Sequence, residues 1–417
     1  MYSAGEIQAL KRRNRHYIRE LIWTSFSIGV NITTQTKLKD YLRIVSVLLV
    51  IASCIALYPH WLMIQQAQGH IPLIAETVTT TLQTTTAIVK LIYYIFMQHR
   101  FSAILHKAET HELLQCLEIF KTDMPVKMKL KQEINAIMVT TWLESRRQLI
   151  YCVILIVCIL SNYFFYAIFI NLYHQIQGTP NYVYILPFTG YPMFLDKGMN
   201  SFYYALDMFL GACSLHVAGM CAISFNCAFM VFCKHACGIV RVLNLMLQHS
   251  TSPLVPAERR VEYLRYCIIQ HQRIVNFLDE VNQLFKHIIL SQFFHSMAIY
   301  GLVLYEINFS LESSKVTLIR MIFYICAAFS GDCMLYVNGQ FLVTELEAIP
   351  LSCYCCHWYN ESAEFKKTLQ MIIMRSNKEF CFQISWFGVL SLVTLMGIFK
   401  ASASYFVLIR DIADADA

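Results

Sequence analysis

Charge is scarce in this chain. Only 14% of its 417 residues are Asp, Glu, Lys or Arg, against about 25% in a soluble domain. With 57% hydrophobic residues, that deficit excludes disorder and argues against a soluble enzyme. Glycine and proline are also few, at 14 and 9, which leaves no room for a long flexible linker. No Gly-x-Ser-x-Gly, phosphate loop or His-Glu-x-x-His is present, so no catalytic arrangement, cofactor site or metal site is expected. The first 40 residues carry Lys11, Arg12, Arg13, Arg15 and Arg19 but no apolar core or small-residue cleavage site. The first hydrophobic run is therefore expected to target the chain to a membrane itself.

What the sequence has is apolar length. A hydrocarbon core about 30 Å thick needs roughly 20 mostly apolar residues per helix. Seven stretches qualify, near 42–64, 73–97, 149–172, 201–234, 287–308, 317–343 and 382–409. The expected fold is an all-α integral membrane protein with seven transmembrane helices. The second stretch is the least apolar, with Thr77, Thr79, Thr80, Thr81, Thr84, Thr85 and Thr86. Their hydroxyls can bond back to helical carbonyls, so such a helix survives in lipid.

Orientation follows from Lys and Arg in the connections. Twenty-five lie in residues 1–41, 98–148, 235–286 and 344–381, and three lie on the other side, Lys197, Lys315 and Arg410. The split predicts a cytoplasmic N-terminus and, after seven spans, an extracellular C-terminus. That is the reverse of a G-protein-coupled receptor, and neither Asp-Arg-Tyr after the third span nor Asn-Pro-x-x-Tyr in the seventh is present. The basic residues face an anionic cytoplasmic leaflet, which explains them without nucleic acid.

The inner connections read as helical. From 257 to 286 apolar residues recur at Val261, Leu264, Ile268, Ile274 or Val275, Leu278 and Val281, one face of an amphipathic helix that begins after Pro253 and Pro256. Ile104, Leu113, Leu117 and Phe120 repeat the pattern in 98–148. These segments predict inward extensions of the spans, with an exposed face able to join subunits. The expected organisation is a cytoplasmic segment 1–41, six spans with helical inner loops over 42–343, an inner anchor helix over 344–381, and a last span with its tail over 382–417. Sixteen cysteines are present, none on the predicted outside, so disulfides are not expected. Cys353, Cys355, Cys356 and His357 lack the paired spacing of a zinc site, and palmitoylation of a juxtamembrane cysteine is the alternative reading.

Ionisable residues inside spans default to functional hypotheses. Lys90 and Asp332 fall in the inner halves of spans two and six and are expected to pair, while Arg320, near an outer end, is expected to snorkel. Aromatics crowd the outer halves: Tyr163, Phe164, Phe165, Tyr166 and Phe169 in span three, Phe202, Tyr203, Tyr204 and Phe209 in span four, Phe323 and Tyr324 in span six. An interfacial belt does not account for those two or three turns deep. They predict a mostly apolar cavity for a small, neutral, lipophilic ligand. Its expected walls are Thr80, Thr81 and Thr84, then Phe164, Tyr166 and Phe169, then Tyr203 and Leu210 with Asp207 at the rim, and Phe323 and Tyr324.

The last 85 residues carry a resemblance. Leu335-Tyr336, Gly339-Gln340, Glu345, Ala348, Tyr354 and Trp358-Tyr359 are followed by Lys366-Lys367, Leu369, Met374-Arg375-Ser376, Lys378, Leu390-Ser391, Phe399-Lys400 and Ser404-Tyr405-Phe406. This order resembles the C-terminal signature of insect odorant receptors, as does Leu264-Arg265-Tyr266-Cys267-Ile268 with His271-Gln272 and Phe277. The resemblance implies an odour-tuning subunit of a ligand-gated, non-selective cation channel. Its partners would be a co-receptor subunit in a heterotetramer, a small volatile ligand and the plasma membrane of an olfactory neuron. It further implies subunit contacts at Tyr354, Trp358, Tyr359, Lys367 and Leu369, and a pore lined by the last helix with Leu408, Asp411 and Ile412 at the gate. A gustatory-receptor channel shares the topology, and a seven-helix transporter is the rival of a different class.

Overall fold

The computed structural model describes residues 4–33, 39–67, 70–179, 182–193, 201–313, 315–378, 380–386 and 388–415. Two short helices, α1 (Ala4–Tyr17) and α2 (Arg19–Ser27), precede a first apolar rod. Pro59 cannot donate to the carbonyl four residues back, and the rod divides into α3 (Lys39–Ile55) and α4 (Leu57–Gln66). The helix α5 (Ile71–Glu109) carries Pro72 in its first turn, where the missing N–H costs nothing. After the single-turn α6 (Glu112–Gln115) comes α7 (Val126–Gln177), which stops at Gly178 in the left-handed conformation, the usual glycine cap. Then follow α8 (Ser201–Gln248), α9 (Arg260–Ser313), α10 (Lys315–Tyr354) and α11 (Ala363–Ser376). A two-residue pair of strands, β1 (Gln383–Ile384) and β2 (Gly388–Val389), leads into α12 (Leu392–Ala415).

At 1.5 Å per residue the 52 residues of α7 and the 54 of α9 reach about 80 Å, far more than a bilayer core. The excess of α5, α7, α8, α9 and α10 gathers at one end of the bundle with α1, α2 and α11, here the layered end. Ion pairs fasten it: Arg241 on α8 lies 2.7 Å from Glu345 on α10 and 3.8 Å from Glu144 on α7, and Lys107 on α5 lies 2.7 Å from Glu280 on α9. The apolar stripe from Leu264 through Ile274, Leu278 and Val281 is buried there.

Helix α8 runs through the centre, where 89% of its apolar stretch is buried against 11% of that in α7. Phe225, Phe229 and Phe232 on α8 close around Phe285 of α9, with centroid separations of 4.8, 5.1 and 6.0 Å. The peripheral helices turn apolar side chains outward, as Ile44, Leu48 and Ile51 on α3 do. Among the described residues five helical rods are long and apolar enough to cross a membrane, at 40–66, 126–177, 202–251, 257–311 and 317–354. The threonine-rich α5 and the shorter α12 complete the seven.

Two expectations change in detail. The last span was read from 382, but residues 383–384 and 388–389 pair as antiparallel strands, and the Leu390 amide bonds to the Phe382 carbonyl at 2.7 Å. The chain reverses at Ser385, which has positive φ, and the helix begins only after Ser391, whose hydroxyl accepts from the Thr394 amide at 3.2 Å, an N-cap arrangement. Arg320, read as snorkelling, is instead paired with Glu76 on α5.

Candidate functional site

A cavity of about 130 Å³ lies inside the bundle between α5, α7, α8, α9 and α10. Helical spacing builds each wall. Residues three or four apart share a face, and the cavity takes Glu76, Thr79, Thr80, Gln83, Thr86 and Lys90 from α5 and Leu215, Ala218, Gly219, Ala222 and Asn226 from α8. Gln292, His295, Ser296, Ile299 and Glu306 come from α9, and Met321, Tyr324, Ala327, Ala328 and Gly331 from α10. Ile156, Ile159, Leu160 and Tyr163 of α7 close the side, and Phe188 with Thr189, from the segment before α8, close the loop end. Small residues on α8 and α10 leave the space. A side chain at Gly219 would meet Leu160 within 2.6 Å, so α7 seats itself there.

Polar groups are arranged in three tiers. At the loop end Glu76 pairs with Arg320 and accepts from Thr189 Oγ at 2.7 Å, while Glu306 Oε1 lies 2.8 Å from Thr79 Oγ. In the middle His295 Nε2 lies 2.9 Å from Gln83 Oε1, its Nδ1 lies 3.0 Å from Thr86 Oγ, and the Tyr324 hydroxyl donates to Gln83 at 3.3 Å. At the floor Lys90 donates to Gln292, whose amide nitrogen reaches Asp332 at 3.0 Å and Ser296 at 3.1 Å. Lys90 and Asp332, expected to pair directly, are thus joined through Gln292. Asp332 also accepts from Tyr300 at 2.7 Å, and the Tyr300 ring lies 5.0 Å from Phe399 of α12. A continuous chain of contacts therefore runs from the cavity floor to the last helix.

The anticipated wall residues divide. Thr80 and Tyr324 line the cavity, together with Tyr163 from the same aromatic run. Thr84 is buried beside Ser214, and Thr81 turns to His60 on α4, 3.3 Å away. Tyr166 sits against the Arg320 guanidinium, and Phe164 packs edge-on to Phe165. Asp207 accepts from Tyr184 at 2.7 Å and, with Leu210, borders a water-sized pocket beside α4. Tyr203 packs against Phe202 at 5.5 Å. Phe169 and Phe323 are not at the cavity: they are 69% and 55% exposed on the outer surface, where lipid would cover them. Glu76, Gln83, His295 and Glu306 were not anticipated. The signal was available for Glu306, a carboxylate inside the fifth apolar stretch.

Elsewhere, Tyr354, Trp358 and Tyr359 form a plate at the layered end, with two rings 4.4 Å apart. Tyr354, Tyr359 and Lys367 are exposed, but Leu369 faces the chain's own core and is only 4% exposed. On α12, Leu408 is exposed and Asp411 lies 3.3 Å from Arg410, while the side chain of Ile412 falls outside the described residues.

Comparison with known proteins follows the same lines. The family model for the 7tm odorant receptor matches residues 70–403. Odorant receptor 63a of Drosophila melanogaster is 40% identical over 417 residues, 99% of each chain. The Anopheles gambiae odorant receptor coreceptor is 21% identical over only 35% of this chain and 30% of its own. The insect olfactory receptor OR5 of Machilis hrabei, solved with eugenol, superimposes with a TM-score of 0.75 at 12% identity, covering 97% of this chain and 99% of that one. A membrane-embedded bundle of seven spanning helices, an internal cavity and a family match over most of its length fix the assignment: the chain belongs to the 7tm odorant receptor family, on the side of the odour-tuning receptors rather than the co-receptors.

Proposed function

We propose that this chain is the odour-binding subunit of a heteromeric, odorant-gated, non-selective cation channel in the plasma membrane of olfactory sensory neurons. The observation that carries this reading is the cavity inside the bundle, whose floor is wired through Gln292, Asp332 and Tyr300 to Phe399 on α12. A small volatile ligand enters the space between α5 and α10, and the related OR5 bound to eugenol supports that class of ligand. Occupancy reorders the side chains around Tyr300, and α12 shifts against α9. The layered end is cytoplasmic, in keeping with its excess of Lys and Arg. There the plate of Tyr354, Trp358 and Tyr359 with Lys367 meets a co-receptor subunit. Leu408, Asp411 and Ile412 sit at the outer part of the pore, where converging apolar side chains close a path by dewetting and carboxylates concentrate cations.

Whole-cell recording tests the reading. Cells expressing this chain with an insect co-receptor should give odorant-evoked cation currents, with little or no such current from this chain alone. Equal currents without the co-receptor, or responses carried by a G-protein cascade, would contradict it.

A further inference from the structure

The cavity's hydrogen-bonding atoms are not evenly matched. Most are engaged within the protein: Glu76 by Arg320 and Thr189, Gln83 Oε1 by His295 and Tyr324, and Lys90 by Gln292. Glu306 is different. Its side chain is in the cavity wall, the residue is only 4% exposed, and among the described residues Oε2 makes no hydrogen bond. A second open atom is Oδ1 of Asn226 toward the floor, whose amide nitrogen is committed to the Gly331 carbonyl at 3.1 Å. Arg320 Nε is also unmatched, but Arg320 is held by Glu76 and does not line the cavity.

Counting protons bounds the polarity of the open oxygen of Glu306. Thr79 Oγ lies 2.8 Å from Glu306 Oε1 and 2.9 Å from the Ala75 carbonyl. A hydroxyl has one proton, which serves one of the two. If it serves Glu306, Oε1 accepts, and Oε2 offers lone pairs in the ionised group but a proton in the neutral acid. If it stays with Ala75, the short contact requires Glu306 to carry a proton on Oε1 and donate it to Thr79, and Oε2 is an acceptor. Oε2 thus presents lone pairs in two of these three states, and Oδ1 of Asn226 does so in all of them.

We propose, resting on the cavity being the odorant site, that it selects small apolar molecules bearing an O–H or N–H donor, and that Glu306 receives that donor. An alcohol, phenol or amine satisfies a buried acceptor that otherwise stands unpaired, which is costly. An ether or ester sets oxygen against oxygen and leaves Glu306 unsatisfied. The hydrocarbon part packs on Leu160, Tyr163, Leu215 and Met321.

The test uses isomer pairs that differ only in whether the oxygen carries a proton: heptan-1-ol with hexyl methyl ether, and 2-phenylethanol with benzyl methyl ether. Heptylamine and 2-phenylethylamine form the cationic arm, and a broad odorant panel runs beside them. Currents are recorded from cells expressing the chain with co-receptor, as wild type, Glu306→Met and Ala222→Phe. Each responding alcohol should be about tenfold or more as potent as its ether, and Glu306→Met, which keeps the length but removes the acceptor, should bring the ratio toward one. A larger loss of the amine than of the alcohol response in Glu306→Met identifies an ammonium as the preferred donor; the reverse identifies a hydroxyl.

Ethers equal to or better than alcohols overturn the proposal, as do active panel members that all lack O–H and N–H, or an unchanged ratio in a surface-expressed Glu306→Met. Should that variant fail to reach the surface, the wild-type ratio decides alone. Ala222→Phe separates the two levels: if it leaves all responses in place, the cavity reading itself fails. If it abolishes them while the isomers stay equal, only the donor preference fails.

Discussion

At the scale of single residues, two opposite charges meet between α5 and α10. Glu76 and Arg320 are both mostly buried, and removing one partner of a buried pair strands the other, a cost of about 3–5 kcal/mol. Arg320→Gln alone should therefore sharply reduce surface expression, and adding Glu76→Gln should restore part of it; a single variant that expresses normally would deny the pair this role. Outside the membrane, His111, just past the end of α5, links α1 to α7. Its Nε2 lies 2.9 Å from the Asn14 amide and accepts from the Trp142 indole at 3.1 Å. Burial, with Arg13 nearby, holds its pKa down to about 3. A depressed folded value means that this histidine's contribution is intact above the unfolded pKa of about 6.5 and is lost as pH falls toward 3. Purified protein should lose stability between pH 6.5 and 4, by up to about 1.4 kcal/mol per pH unit, seen as a falling melting temperature, and His111→Gln should flatten that slope. An identical slope in the variant would place the acid sensitivity elsewhere. These roles were only half legible in the sequence. Ionisable residues within spans stand out there, but their partners lie hundreds of positions away, as Glu76 does from Arg320.

At the scale of elements, twenty-residue apolar runs made most spans readable, and the back-bonded threonines explain why α5 holds despite its polarity: Thr77 donates to Leu73 and Thr81 to Thr77, each at 2.7 Å. The start of α12 was hidden because Phe382 to Leu390 is apolar enough to read as helix, while the reversal at Ser385 is a backbone fact. The cavity was misread for a geometric reason. At 100° per residue the aromatics 163–166 spread around most of α7, so Tyr163 faces inward and Phe165 outward. Composition announced the aromatics but not their bearings. The contact of α9 with α12 is as close as it is because Gly301 lacks a side chain: a Cβ there would lie 3.2 Å from the Tyr405 Cβ and 3.5 Å from the Ser402 carbonyl. Overpacking such a site costs about 1–3 kcal/mol. Gly301→Val should pry α12 from α9 and raise the odorant-independent current of the co-expressed channel; an unaltered leak and an unaltered odorant maximum would show that this contact does not set the closed state.

At the scale of the whole molecule, the excess of Lys and Arg at the layered end predicts one orientation. A tag at the N-terminus should label only after permeabilisation, and one after residue 417 should label intact cells; the opposite pattern would invert the receptor. The central claim, however, is that odorants act from within the bundle, and it meets its most direct test in two side chains on opposite sides of the wall. Ala222 lines the cavity, and Phe323 faces outward. Dose–response curves of the co-expressed channel should shift at least tenfold in Ala222→Phe, which fills the space, and should stay in place in Phe323→Ala. A curve that moves with Phe323 and ignores Ala222 would contradict the account.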